Sequence, residues 1–237
     1  MAAARVAASR LARPDDGPPS TSEISPRRHL IVSEQAGGWT LGAFVDEKLV
    51  GFVHHLAAAR GNEIFGYSHM MAVAAEYQNF GIGAKLKWAQ RARALSEGRE
   101  FIKWTFEPVR ARNAHFNLNR LGAIVDTYSN NYYGMDYNLD QAIGLPSDRL
   151  FATWHLDSER VRALASGTSV TIDAEPAAIV LIPSEWTALV KQDPQRARDE
   201  QARVRAEFNK AFEQGLVCAG FERGDQQSKY LLFAPNA

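Results

Sequence analysis

The spacing of apolar residues changes several times along the chain, and each change marks a new element. From Trp39 to Val45 the side chains of Leu41, Ala43 and Val45 alternate with their neighbours. After the polar turn Asp46-Glu47-Lys48 an apolar run resumes from Leu49 to Leu56, which predicts a β-hairpin. Tyr67 to Ala75, with Met70, Met71 and Val73, predicts another strand. Gly83 to Glu97 changes to helical spacing through Leu86, Trp88, Ala89, Ala92, Ala94 and Leu95, with Gly98 where a C-terminal cap belongs. Phe101 to Phe106 predicts a short strand stopped by Pro108, and Asn113 to Leu121 a short helix closed by Gly122. Beyond these, strands are predicted at Leu150 to Leu156, Ala178 to Ile182, Leu216 to Phe221 and Lys229 to Phe233. Between them a long polar helix runs from about Pro194 to Gln214, with Val204, Phe208, Ala211 and Phe212 as its apolar stripe.

The N-terminal stretch is different. Residues 14–26, PDDGPPSTSEISP, read as loop, and Pro26 is placed to open a short helix through Leu30 and Val32 that Gly37-Gly38 ends. The preceding MAAARVAASRLARP holds three arginines and no acid, which fits either a short helix or an Arg-rich targeting leader.

Composition narrows the class. A chain of 237 residues with 46% hydrophobic positions can bury one substantial core plus a small appended unit. Twenty-seven basic residues balance twenty-seven acidic ones, so no overall field points to nucleic acid or an anionic membrane as a partner. The single cysteine, Cys218, excludes an internal disulfide and a cysteine metal cluster; it suits a reducing compartment, and the expected location is cytoplasmic. No His, Asp or Glu cluster has metal-ligand spacing, so no metal is expected.

One motif carries chemistry. Gln78-Asn79-Phe80-Gly81-Ile82-Gly83, a Gln-x-x-Gly-x-Gly pattern, arises by chance in roughly one chain in five of this size. Its setting raises it: a strand, a glycine turn and a helix N-terminus aim unpaired backbone N–H groups and the positive end of a helix dipole at one point, which suits a pyrophosphate. The alternative is a strand-to-helix turn in which Gly81 and Gly83 only satisfy backbone geometry.

These residues resemble a known family. SHMMAVAAEYQNFGIGAKLKWAQ resembles the strand, phosphate turn and helix of the GNAT acyltransferases, and the hairpin before it is similar to their second and third strands. WTFEPVRARNAHFNLNRLGA and GLPSDRLFATWHLD resemble a bacterial and archaeal subgroup of that family. The resemblance implies an α/β fold with a mixed sheet whose fourth and fifth strands, here Tyr67 to Ala75 and Phe101 to Phe106, splay apart around the pantetheine arm of an acyl-CoA. It implies pairing of that arm near Met71 and Val73, binding of pyrophosphate by Gln78, Asn79, Phe80, Gly81, Ile82, Gly83 and Ala84, and a cofactor-facing Asn113. Acetyl-CoA or another acyl-CoA is the co-substrate so implied. The implied organisation is an N-terminal segment over 1–38, an acyltransferase core over 39–157 and a C-terminal helix-and-strand extension over 158–237. The family's first strand has no counterpart before Pro26, and dimer complementation in a homodimer is one way to cover the edge so left.

Transfer from a thioester to an amine needs a base, an oxyanion donor and a proton for the thiolate. His69 stands where many family members carry a catalytic glutamate, and Glu107 ends the fifth strand; each is a candidate base, against packing or surface roles. The family's tyrosine acid is replaced by Leu118, which leaves Tyr132, with Tyr128 and Tyr133, as candidate acids. Arg149 fits either a substrate carboxylate or a salt bridge with a carboxylate such as Asp148. His54 and His55 fit core or surface roles, and Cys218 that of a small apolar residue. The expected function is acyl transfer from acyl-CoA to a small-molecule amine, an amino acid among the candidates. The alternatives are a protein amine as acceptor, and a non-catalytic CoA-binding module.

Overall fold

The computed structural model describes residues 27–135 and 144–235. They divide into two compact units, residues 27–103 with 155–157, and residues 104–154 with 158–235 where described. The segment before Pro26, where the family's first strand finds no counterpart in the sequence, lies outside the described residues.

In the first unit, helix α1 (Arg27–Gln35) is followed by strands β1 (Trp39–Val45), β2 (Lys48–Arg60) and β3 (Glu63–Val73), a short 3-10 turn (Ala75–Tyr77), helix α2 (Ile82–Ser96) and the start of β4 (Phe101–Phe106). The strands lie side by side in sequence order. Asp46 and Glu47 both take left-handed φ, 45° and 64°, giving β1 and β2 a turn whose twist matches the strands it joins. The predicted hairpin is therefore present, and β2 runs on to Arg60, beyond the expected end at Leu56. There it turns through Gly61 into β3, which begins at Glu63 rather than Tyr67. Ala57 to Ala59 have weak strand propensity, and pairing on Ile64 to Gly66 overrides it.

β3 contains one residue too many for its partner. His54 pairs with Met70 and His55 with Ser68, so His69 is the extra residue of a β-bulge. On the other side, β3 pairs in parallel with β4 only at Gly66↔Ile102 and Tyr67↔Lys103, although β3 continues to Val73.

Helix α2 was expected to bury an alanine- and leucine-rich face. Its buried residues are instead Leu86, Lys87, Gln90 and Ala94. Lys87, only 2% exposed, donates to Ser68 Oγ (3.1 Å) and Gln90 Oε1 (2.8 Å), and Gln90 Nε2 lies 3.3 Å from His55 Nδ1. The His55 ring stacks on Trp39 at 4.1 Å. Gly66 is required beneath this network, because a Cβ there would lie 2.2 Å from His55 Cε1. The polar residues break the apolar spacing but are held by one another, which is how buried polar groups are tolerated.

The second unit contains the end of β4, helix α3 (Ala111–His115) running into a π-turn (Phe116–Arg120), β5 (Ile124–Ser129), β6 (Arg149–His155), α4 (Glu159–Ala165), β7 (Ala178–Pro183), α5 (Trp186–Gln192), α6 (Pro194–Glu213), β8 (Val217–Glu222) and β9 (Gln227–Phe233). Its strands follow the order β6-β5-β8-β9-β7, with antiparallel pairing. Asp193 caps α6 through its side chain and Pro194 occupies the first turn. Ala197, Gln201, Val204, Phe208 and Ala211 form the buried stripe of α6, at the helical spacing the sequence predicts. Tyr230 of β9, fully buried, donates to the carbonyl of Pro108 (2.7 Å), so β9 is tied to the loop that follows β4. Cys218 is buried on β8 and its thiol is pushed well above the ordinary range by burial, consistent with a packing role.

Lys87 gives a pH test of this packing. Burial lowers its pKa from 10.5 to about 7, so between those values the unfolded chain binds a proton that the folded chain does not. Its contribution to stability is present above 10.5 and is lost as the pH falls towards 7. Thermal melts from pH 7 to 10 should show wild-type stability rising relative to Lys87→Met; parallel curves would refute the assignment.

Candidate active site

The phosphate-turn motif joins β3 to α2 as expected. Asn79 and Gly81 take left-handed φ, 67° and 79°, and the chain reverses between them to start the helix at Ile82. Gln78 turns back so that its Nε2 donates to the carbonyl of Val73 (3.0 Å), which closes the loop onto the end of the strand. Phe80 projects outward, 74% exposed. The first intrahelical bond nearby runs from Lys85 N–H to the Gly81 carbonyl (3.0 Å). Within the described residues, the successive backbone N–H groups of Phe80, Gly81, Ile82, Gly83 and Ala84 make no hydrogen bond. They therefore remain available, at the positive end of a 15-residue helix, to an anion. A Cβ on Gly83 would approach Met71 Cε at 3.8 Å and Val73 Cγ2 at 4.0 Å, so the helix start lies against the strand residues expected to line a cofactor arm.

His69, the bulge residue, lies on the same face of the sheet as His54 and close to α1. Its ring centroid is 5.1 Å from that of His29 and 6.1 Å from that of His54. The side chain of His69 is exposed, yet the protein atoms around its ring, and then the charge of His29, hold its pKa below the ordinary imidazole value. His54 and His55 are buried and both are lowered to about 4, chiefly by desolvation. Both have core roles, as the sequence suggested.

The remaining candidates lie in the second unit. Glu107 accepts from Arg110 Nε (2.8 Å) and is 3.9 Å from Arg149 Nη2. Arg149 is buried beneath Tyr133, its guanidinium carbon 5.1 Å from that ring, and donates to the backbone carbonyl of Asp148 (2.8 Å). The Asp148 carboxylate is not its partner. It is held by Nε and Nη2 of Arg205 (2.9 and 3.1 Å), the Tyr128 hydroxyl (2.7 Å) and the Asn131 N–H (2.9 Å). Of the carboxylates the sequence left open to Arg149, Glu107 is the one paired with it, and Asp148 pairs with Arg205. Arg205 lies 57 residues from Asp148, and no local pattern links them. The cleft beside Glu107, Arg149 and Gln201 has a volume of about 10 Å³, the size of one water site. Burial and Asp148 push the Tyr128 hydroxyl far above the tyrosine range, so it stays protonated, with its proton directed to Asp148. Tyr132 and Tyr133 are partly exposed, edge to face at 4.6 Å, and the Tyr133 hydroxyl lies 3.1 Å from Thr105 Oγ1.

Comparison with known proteins bears on the family and the fold. Residues 6–122 match the family model of the GNAT acetyltransferase family. This chain carries a GNAT acetyltransferase domain. The match ends at Gly122, the left-handed residue (φ 74°) that closes the π-turn. Among solved structures, a Streptococcus mutans protein is similar over 66% of this chain and 96% of its own, at 15% identity and TM-score 0.53. A ribosomal-protein alanine N-acetyltransferase from Escherichia coli is similar over 66% of this chain and 88% of its own, at 13% identity and TM-score 0.52. Both likenesses are of fold. A comparison with curated proteins finds no match.

Within the GNAT domain, the candidate residues fall into two sets. His69, Met71, Val73 and the turn from Gln78 to Ala84 lie in the first unit, Glu107 and Asn113 in the second. Tyr132 and Arg149 follow the matched region. Asn113 is exposed on α3, and Leu118 is fully buried in the π-turn, a core position rather than that of an acid. Sequence reading passed over His29, 40 residues before His69, because only the helix-on-strand contact brings the two rings together. Among the described residues no group of three His, Cys, Asp or Glu side chains could hold a metal, and no helix is long and apolar enough to cross a membrane.

Asp148 has the highest structural stake in the second unit, since it is fully buried and holds three partners. Asp148→Ala should lower the unfolding free energy by roughly 3 kcal/mol in urea titrations. A loss below about 1 kcal/mol, the ordinary range of a single net hydrogen bond, would contradict that role.

Proposed function

We propose that the chain is an acyl-CoA-dependent N-acyltransferase whose acceptor is the amine of a small molecule. The supporting observation is the run of unpaired N–H groups from Phe80 to Ala84 at the start of α2, directly after a bulged strand whose pairing with β4 stops at Tyr67↔Lys103. In this reading the turn takes the pyrophosphate, and the unpaired edge of β3 near Met71 and Val73 takes the pantetheine amides. The Val73 carbonyl is already engaged by Gln78, so the reading uses the other polar groups of that edge. Asn113 serves the cofactor, His69 is the base, and Glu107 and Tyr132 are the second base candidate and the acid.

The bond made is C–N and the bond broken is the thioester C–S, with the amine lone pair attacking the carbonyl carbon. His69 is suited to the base role because its lowered pKa keeps it unprotonated near neutral pH. Arg149 is engaged with Glu107 and the Asp148 carbonyl, so an amino-acid carboxylate finds less support there than the sequence suggested. A protein amine as acceptor is the second reading, favoured by the exposed side chains of Tyr132, Tyr133 and Met135. The chain's place in the cytoplasm and its pairing as a homodimer belong to the same proposal.

Calorimetry with acetyl-CoA tests the cofactor assignment. Gly81 takes φ 79° with open space where a Cβ would stand, so the cost of substitution there is backbone strain rather than a clash. Gly81→Val should weaken acetyl-CoA binding at least about 100-fold, while Gly81→Asn, which tolerates the left-handed region, retains more of it. Equal affinities in all three proteins, or no binding by the wild type at millimolar acetyl-CoA, would refute the site.

A further inference from the structure

Three imidazoles meet where α1 lies over β2 and β3, His29 from the helix and His54 and His69 from the strands, and their hydrogen bonding is unequal. His54 has both ring nitrogens engaged. Nε2 lies 3.0 Å from Ser33 Oγ, whose hydroxyl also donates to the Leu30 carbonyl (3.1 Å), and Nδ1 lies 2.8 Å from Thr40 Oγ1. Burial depresses its pKa to about 4. It is a structural spacer 5.8 Å from His29.

His29 is the opposite case. Its Nε2 is buried and makes no hydrogen bond among the described residues. A buried ring nitrogen without a partner is costly, and one beside a reactive group invites an explanation. The His69 ring, 5.1 Å away at an interplanar angle of 62°, is the titratable group in contact with it that is also exposed. The charged forms that act on His69 and His54 come from within the cluster, from α1 (His29), β2 (His54) and β3 (His69), while β1 contributes only the neutral Thr40. The bulge places His69 here: it is the residue of β3 with no partner on β2, inserted beside the His54↔Met70 pair, and its ring lies with those of His54 and His29.

We propose that His29 is a positioning residue for His69, accepting through Nε2 a hydrogen bond from the ring N–H of His69 when His69 takes a proton from the acceptor amine. This inference rests on the acyl-transfer reading for the source of the proton, and on the side-chain cluster alone for the pairing. One His69 nitrogen takes the amine proton, the amine lone pair forms the C–N bond, the C–S pair departs on the thiolate, and the second His69 nitrogen directs its N–H to His29. A neutral His29, accepting through Nε2, thereby offsets the lowering that its charged form imposes on His69 and aims the reactive nitrogen outward.

Titration of ring-labelled histidines in the full chain tests the pairing without any turnover. In His29→Phe, which keeps the ring contact and removes the nitrogen, the His69 midpoint should fall by about half a pH unit or more, since an acceptor for the charged form is lost. In His29→Asn, whose amide oxygen is an acceptor, it should return towards the wild-type value. An unchanged or raised midpoint in His29→Phe overturns the proposal, because simple repulsion between two charged rings predicts a rise. Failure of His29→Asn to restore the midpoint overturns it as well. With an amine panel, His29→Phe should lower kcat about 10-fold and leave acetyl-CoA affinity unchanged. If the wild type binds acetyl-CoA but acylates no amine, the acyl-transfer reading fails while the titration still decides the pair.

Discussion

The single extra residue in β3 governs most of what the first unit does. Pairing His54 with Met70 and His55 with Ser68 leaves His69 unopposed and shifts the side-chain alternation beyond it. On one face, Ser68 and His55 meet Lys87 and Gln90 of α2 and close a buried polar network. On the other, His69 joins His29 and His54 beneath α1. A bulge also increases local twist, which fits the early end of the parallel pairing with β4.

The polar network under α2 has a mechanical consequence for the phosphate turn. Helix α2 is anchored by a buried lysine whose pKa is lowered to about 7, a glutamine and a stacked histidine rather than by apolar contacts alone. Directional bonds fix both the rotation and the axial position of a helix, whereas a greasy stripe tolerates sliding. The N–H groups from Phe80 to Ala84 are carried at the start of that helix, and Gln78 ties the turn itself to Val73. Rigid presentation of these donors lowers the reorganisation required when an anion binds.

In the second unit the organising contact is the Asp148 carboxylate, which gathers Tyr128, Asn131 and Arg205 from β5, the following turn and α6. Together with the Tyr230 hydroxyl on the Pro108 carbonyl, it ties the C-terminal helix and strands to the segments around β5 and the loop after β4. The C-terminal residues thus belong to one compact unit with the segment from Trp104 onward.

Sequence alone determined what local physics controls. The turn from Gln78 to Gly83 was legible because strand, glycines and helix follow in immediate succession, and α6 because Pro194, its cap and its apolar stripe are all local. The strand Phe101–Phe106 was read to the residue, since β-branched and aromatic residues end abruptly at a proline loop. Tertiary structure decided everything that depends on partners distant along the chain. It set the buried face of α2, where Lys87 and Gln90 are stable only because Ser68 and His55 receive them. It gave Asp148 to Arg205 and Glu107 to Arg149, choices a charge pattern leaves open. It also brought His29 to His69, because a one-residue bulge re-aims a side chain without leaving any trace in hydrophobic periodicity.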